Sequence, residues 1–128
     1  MAAQIFWYID KRVIYERFHG EVTLEEFTDS VTAVEEMCAE GTPLIHVITD
    51  LLDITKWPPL LKLSGAASHE TLPGMGWTII IVNNPALRLI SAVVTQFAMN
   101  RMRTVKNIDE AMEFLISHDV TLAGMPVN

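Results

Sequence analysis

The sequence has a single cysteine, and it has no apolar run long enough to cross a bilayer. Cys38 has no partner for an internal disulfide, which fits a reducing compartment. The longest apolar stretch, residues 85–99, is interrupted by Arg88 and falls short of the roughly 20 residues that span a membrane. The first ten residues lack the basic start of a secretory signal. We therefore expect a cytoplasmic protein with no membrane segment.

Basic residues are scarce, with 9 Lys and Arg against 16 Asp and Glu, which gives a formal net charge of −7. A negative field of this kind repels phosphate backbones, so we expect no nucleic acid partner. Asp50 and Asp53 lack a nearby third ligand, and the histidines lack zinc spacing, so we predict no metal ion and no cofactor. In the run 68–70, Ser, His and Glu are sequence neighbours whose side chains point apart, so they do not form a catalytic triad. We predict a protein that is not an enzyme.

The 128 residues are half hydrophobic and one fifth charged, which is typical of one globular domain, here residues 1–128. β-branched and aromatic runs predict five strands. The first two are separated by three residues and should form an antiparallel hairpin, while helical sequence separates the others. The predicted strands are residues 4–9, 13–18, 44–50, 76–83 and 103–106.

Capping patterns predict where the helices begin. Thr23 and Glu26 form a capping box, and Gly41 supplies the stop of that helix. Asn84 followed by proline caps a helix over residues 85–101, and Asn107 caps a last helix that ends near residue 118. A shorter helix covers residues 59–67, and residues 119–128 form a docked or frayed tail.

The element order is ββαβαβαβα, which predicts an α/β fold with a mixed five-stranded sheet. Right-handed crossovers between sequential parallel strands place the helices mainly on one face of that sheet. The opposite face would then be bare, although its strands are apolar on both sides. Because an apolar patch of that size is seldom left in water, we expect a second molecule to cover it.

Four segments together carry a family resemblance: His-Gly-Glu-Val-Thr at residues 19–23, the helix at 24–38, the strand at 44–50 and Asn-Ile-Asp-Glu-Ala-Met-Glu-Phe-Leu at 107–115. They resemble the STAS domain, the anti-sigma-factor antagonist fold, in its stand-alone SpoIIAA-like form found in small bacterial proteins. The resemblance implies a sequential, mostly parallel sheet in a protein that binds partners. Regulatory members carry a phosphorylatable serine after the third strand. Here that region offers only Thr55, so the phosphoswitch is not carried over.

Polar and aromatic residues near the predicted strand ends give two candidate ligand sites. The carboxyl ends of the strands gather Asp50, Asp53, Asn83, Asn84, Lys106 and Asn107. The structural alternative is that Asn84 and Asn107 are helix caps and Asp50 ends a strand. Trp57, Met75 and Trp77 could wall an apolar pocket, or they could simply cover the core.

The predicted third helix is apolar over more than one stripe, which a helix packed only on its own sheet does not need. Leu87, Ile90, Val94, Phe97 and Arg101 are therefore the predicted contact of a homodimer. His46 alternates with apolar residues and is expected to be a satisfied core or interface histidine and not a ligand. The sequence favours a non-enzymatic protein-interaction or regulatory module. The alternative is a small carrier or sensor of an apolar or lipid-like ligand.

Overall fold

The structure is a computed structural model, and it describes residues 3–56, 74–84 and 101–128. Five strands and two α-helices lie in these ranges, followed by a 3₁₀ helix at Val120–Leu122. The strands are β1 (Ala3–Ile9), β2 (Val13–Glu21), β3 (Ile45–Lys56), β4 (Met75–Ile81) and β5 (Met102–Val105). The helices are α1 (Leu24–Glu40) and α2 (Ile108–His118). The predicted helices at 59–67 and 85–101 lie outside the described residues, apart from Arg101.

The strands form one sheet in the order β1-β2-β3-β4-β5. β1 and β2 are antiparallel, and each following pair of neighbours is parallel. The predicted mixed five-stranded α/β sheet with an N-terminal hairpin is thereby confirmed. In the described part of the chain, no helix is both long and apolar enough to cross a membrane.

Helix α1 begins at the predicted capping box. The Thr23 hydroxyl accepts from the Glu26 amide at 3.1 Å, and the Thr23 amide donates to Glu26 Oε1 at 3.2 Å. Gly41 ends the helix with an extended backbone, at φ −89°. Glycine is therefore not needed here for a left-handed conformation. A Cβ at Gly41 would lie 2.5 Å from Ile45 Cδ1 and 2.9 Å from the Trp7 ring. Glycine therefore ends α1 because the chain passes close to β1 and β3 there.

Strand β3 is longer than predicted, and the prediction that Asp50 ends a strand is wrong. β3 continues to Lys56, since β2 also continues beyond Phe18 and pairs with it as far as Glu21. The polar residues Asp53 and Thr55 interrupt the apolar pattern, which hid this extension from the sequence. Backbone pairing with the neighbouring strand sets the length of β3.

The two helices lie on opposite faces of the sheet. Val34, Met37 and Cys38 of α1 pack on Ile14, Ile45 and Val47, whereas Ala111 and Leu115 of α2 pack on Ile48, Ile79 and Ile81. The prediction of a bare opposite face is therefore wrong for the area under α2. Because α2 follows the last strand, it is not a crossover, and the handedness rule does not fix its side.

The C-terminal tail is docked. Leu122 is 1% exposed and belongs to the same core cluster as α2. The Asn128 amide donates to the Tyr8 carbonyl at 2.8 Å, and its side-chain amide donates to the Trp7 carbonyl at 2.9 Å. The tail therefore runs from α2 back to the carboxyl end of β1.

Candidate functional site

An aromatic patch lies on the face of the hairpin that also carries α2, and we define it as Phe6, Tyr8 and Tyr15. Phe6 and Tyr15 are cross-strand partners, and their rings stack with centroids 5.2 Å apart. Tyr8 lies two residues after Phe6 and so on the same face, and its ring centroid is 5.6 Å from that of Tyr15. Phe6 is 45% exposed, so the patch presents aromatic surface to solvent.

Asp50 anchors the inner side of this patch. The Tyr15 hydroxyl donates to Asp50 Oδ2, and the Leu52 amide donates to Oδ1 at 2.9 Å. Burial, followed by the bond to Asp50, raises the pKa of Tyr15 well above its ordinary value. Tyr15 is therefore a neutral donor at physiological pH, and both oxygens of Asp50 are engaged.

Asp53 pairs with Arg17 beside the patch. This ion pair is about half exposed on both sides, so it contributes little to stability. Its bond to Asp53 raises the pKa of Arg17. Asp50 and Asp53 thus have separate partners, and the described residues contain no group of three or more His, Cys, Asp or Glu side chains that could hold a metal ion. Thr55 lies in β3 and not at the start of a helix.

A second polar cluster, which we call the tail clasp, consists of Arg12, His46, Asp119 and Thr121. His46 is completely buried, and its Nδ1 accepts from the Trp77 amide at 2.9 Å. The ring proton of the neutral imidazole is therefore on Nε2, which donates to Asp119 Oδ2 at 2.8 Å. Burial lowers the pKa of His46, against the opposing effect of Asp119. The prediction of a satisfied core histidine is confirmed.

Arg12 completes the tail clasp from the opposite side. Its Nη2 donates to Asp119 Oδ2 at 2.8 Å and to the Thr121 hydroxyl at 2.9 Å, and its Nε donates to the Leu44 carbonyl at 3.0 Å. Arg12 is 8% exposed. The clasp therefore ties the hairpin end of the sheet to the tail by charge and hydrogen bonds.

Glu16 is a buried carboxyl on the opposite face of β2, under α1. Burial raises its pKa to about 7, although hydrogen bonds with Ser30 and Thr49 act in the other direction. The Thr49 hydroxyl lies 3.4 Å from Glu16 Oε2. The alternation along β2 places Glu16 with Ile14 and Phe18, and this alternation is the signal that marks it as a buried acid.

Met75 and Trp77 pack on opposite faces of the sheet. The Met75 sulfur lies 3.3 Å from Cys38 Sγ on the side of α1. Trp77 packs edge-to-face on Phe114 on the side of α2, with ring centroids 4.8 Å apart. A register shift in the β3–β4 pairing near Met75 puts these two residues in different clusters. Trp57 lies outside the described residues.

The three asparagines of the predicted ligand site lie at the start of α2 and after β4. Asn107 caps α2, with its Oδ1 accepting from the Glu110 amide at 2.9 Å. Asn83 and Asn84 are exposed residues that follow β4. The cap accounts for Asn107, and a ligand role for Asn83 and Asn84 stays a prediction.

The predicted homodimer contact lies almost entirely outside the described residues. Leu87, Ile90, Val94 and Phe97 belong to the range that the structure leaves undescribed. Arg101 is exposed and precedes β5, where its carbonyl accepts from the Thr78 amide at 2.8 Å.

No family model matches the chain, and no curated protein matches it in sequence. Among solved structures, the chain is similar to an uncharacterised protein from the DUF3478 family with a SpoIIAA-like fold, from Shewanella loihica PV-4. The two share 17% sequence identity with a TM-score of 0.60, over 89% of this chain and 92% of that one. The sheet order, the antiparallel hairpin and this similarity together give one conclusion: the chain has the SpoIIAA-like fold.

Proposed function

We propose that this chain is a non-enzymatic regulatory module of the STAS type. It acts in the cytoplasm by binding a protein partner, which is either a different protein or a second copy of itself. The aromatic patch carries the proposal. Aromatic side chains are enriched in protein interfaces, and Phe6 offers its ring to solvent on a rigid strand. The SpoIIAA-like fold supports a binding role by analogy.

The polar groups best placed for chemistry have structural partners. His46 is buried with both ring nitrogens engaged, and Asp50 is 6% exposed with both oxygens engaged. A general base must come within hydrogen-bond reach of a substrate proton. These two side chains instead hold the patch and the tail in place, which favours binding over catalysis.

The predicted third helix remains part of this proposal as a second contact. Its apolar residues exceed one stripe, which favours a contact beyond its own sheet. Of this contact the structure describes Arg101, which lies beside β5, at the opposite edge of the sheet from the aromatic patch.

Native mass spectrometry of the purified chain tests the proposal. We expect a stoichiometric complex with a second copy or another protein, which Phe6→Ser weakens by removing the exposed ring. Val120→Ser is the matched control, because Val120 is 74% exposed and lies outside the patch. Thermal unfolding of both variants separates loss of binding from loss of fold.

One result would contradict the proposal directly. A single chain that retains an apolar small molecule and binds no protein would instead favour the carrier or sensor alternative.

A further inference from the structure

Among the described strands, β1 and β5 are the edges of the sheet, and β5 is protected against pairing with another strand. β5 is only four residues long and includes the exposed Arg103, whose guanidinium lies 4.9 Å from the centre of the Phe114 ring. Arg101 and Lys106 flank it in the sequence. Short strands and charged side chains are the usual means by which proteins prevent edge-to-edge association.

β1 lacks this protection. Its seven residues, Ala-Gln-Ile-Phe-Trp-Tyr-Ile, include no charged residue, proline or glycine. Among the described strands its one neighbour is β2. Gln4 and Phe6 are exposed along it. A long, uncharged edge with exposed aromatic surface is a template for another strand.

We propose that β1 pairs antiparallel with β1 of a second copy, joining two five-stranded sheets into one of ten strands. This pairing rests on the proposed function and names its partner and surface. Two chains of net charge −7 repel each other, so they associate best where no like charges come to lie opposite one another. Of the two edges, β1 meets that condition. Antiparallel self-pairing also satisfies the two-fold symmetry of a closed dimer.

The tail limits where this pairing takes place. Asn128 already donates to the carbonyls of Trp7 and Tyr8 at the carboxyl end of β1. The pairing therefore centres on residues 3–6, with Gln4 near the two-fold axis. The Phe6 of each copy then lies two residues from the axis, at the end of the paired segment.

Gln4→Lys tests the pairing, because it places two like charges close together at the symmetry axis while the exposed side chain leaves the monomer core unchanged. We expect the dimer dissociation constant, measured by analytical ultracentrifugation, to rise about tenfold or more. Ala39→Lys makes the same charge change at an exposed position near the end of α1. That control should leave the dissociation constant within about twofold of the unchanged chain, since isolated surface charges have small effects.

Hydrogen exchange of the unchanged chain gives a second readout. The amides of residues 3–6 should lose protection on dilution, whereas those of α2 should not. A dimer that Gln4→Lys leaves intact, with no such change in residues 3–6, would overturn the pairing but leave the proposed function standing. A chain that stays monomeric at high micromolar concentration would overturn both the pairing and self-association, and binding to a different protein would then be all that remains of the proposed function.

Discussion

His46 and Asp119 are 73 residues apart in the sequence, yet His46 Nε2 lies 2.8 Å from Asp119 Oδ2. The bond joins the start of β3 to the residue that follows α2. It fixes the tail over the face of the sheet opposite α1. Asp119 also bonds Arg12, so one carboxylate holds the hairpin, β3 and the tail together.

Asp119→Ala should destabilise the fold by about 2–3 kcal/mol, because it leaves the buried His46 and Arg12 without their shared acceptor. Denaturant unfolding measures this change. Glu113→Ala, at an exposed position of α2, should change the free energy of unfolding by less than about 0.5 kcal/mol. Equal effects of the two substitutions would show that the clasp does not hold the tail.

Gly76→Ala should destabilise the fold by at least about 2 kcal/mol, since overpacking a rigid core is costly. A Cβ at Gly76 would lie 2.4 Å from His46 Nδ1. The double variant with His46→Ala removes the ring that the new methyl group would strike. Its loss of stability should therefore be smaller than the sum of the two single losses, and strict additivity would contradict the close approach.

Glu16 should make stability depend on pH between about 4.5 and 7. Its pKa is near 7 in the folded protein and 4.5 ordinarily, so the folded state binds the proton more tightly. Stability should therefore fall by up to about 3 kcal/mol as pH rises through this window, and level off above it.

The difference in the free energy of unfolding between the unchanged chain and Glu16→Gln, measured over this pH range, isolates the effect of Glu16 from that of other titrating groups. His46, with its lowered pKa, acts in the opposite direction by losing stability as pH falls below about 6.5. Unfolding curves at several pH values should show the Glu16 dependence in the unchanged chain and its loss in Glu16→Gln. If the difference in the free energy of unfolding between the two chains does not vary with pH, Glu16 is not a buried acid with a raised pKa.

Tyr15→Phe should destabilise the fold by about 1–2 kcal/mol, because Asp50 loses one of its two hydrogen-bond donors in a mostly buried site. Spectroscopic titration of the unchanged chain should show no ionisation of Tyr15 near its ordinary pKa. The titration curve of Tyr15→Phe should therefore match that of the unchanged chain up to about pH 10. A missing step in the variant near that pH would contradict the bond to Asp50.

Local patterns in the sequence predicted the elements that depend on local interactions. The capping box at Thr23 and Glu26 places the start of α1 correctly, and Asn107 does the same for α2. Strand ends were harder to predict, because the pairing of β2 with β3 carries β3 past Asp50 into a polar segment.

The site depended on contacts that no local pattern contains. Arg12 and Asp119 meet across 107 residues, so neither has a sequence neighbour that marks it. Met75 and Trp77 are two residues apart, which predicts a shared face in a regular strand. The register shift in the β3–β4 pairing separates them. The side of α2 could not be deduced either, because no crossover rule applies to a helix after the last strand.

Light scattering of the unchanged chain over a dilution series measures directly whether two copies associate. We expect a mass about twice the 14.4 kDa of one chain at micromolar concentration, falling to that of a single chain on dilution. A constant mass of one chain, with no binding of a dye that reports exposed apolar surface and no protein partner in native mass spectra, would contradict the proposed function.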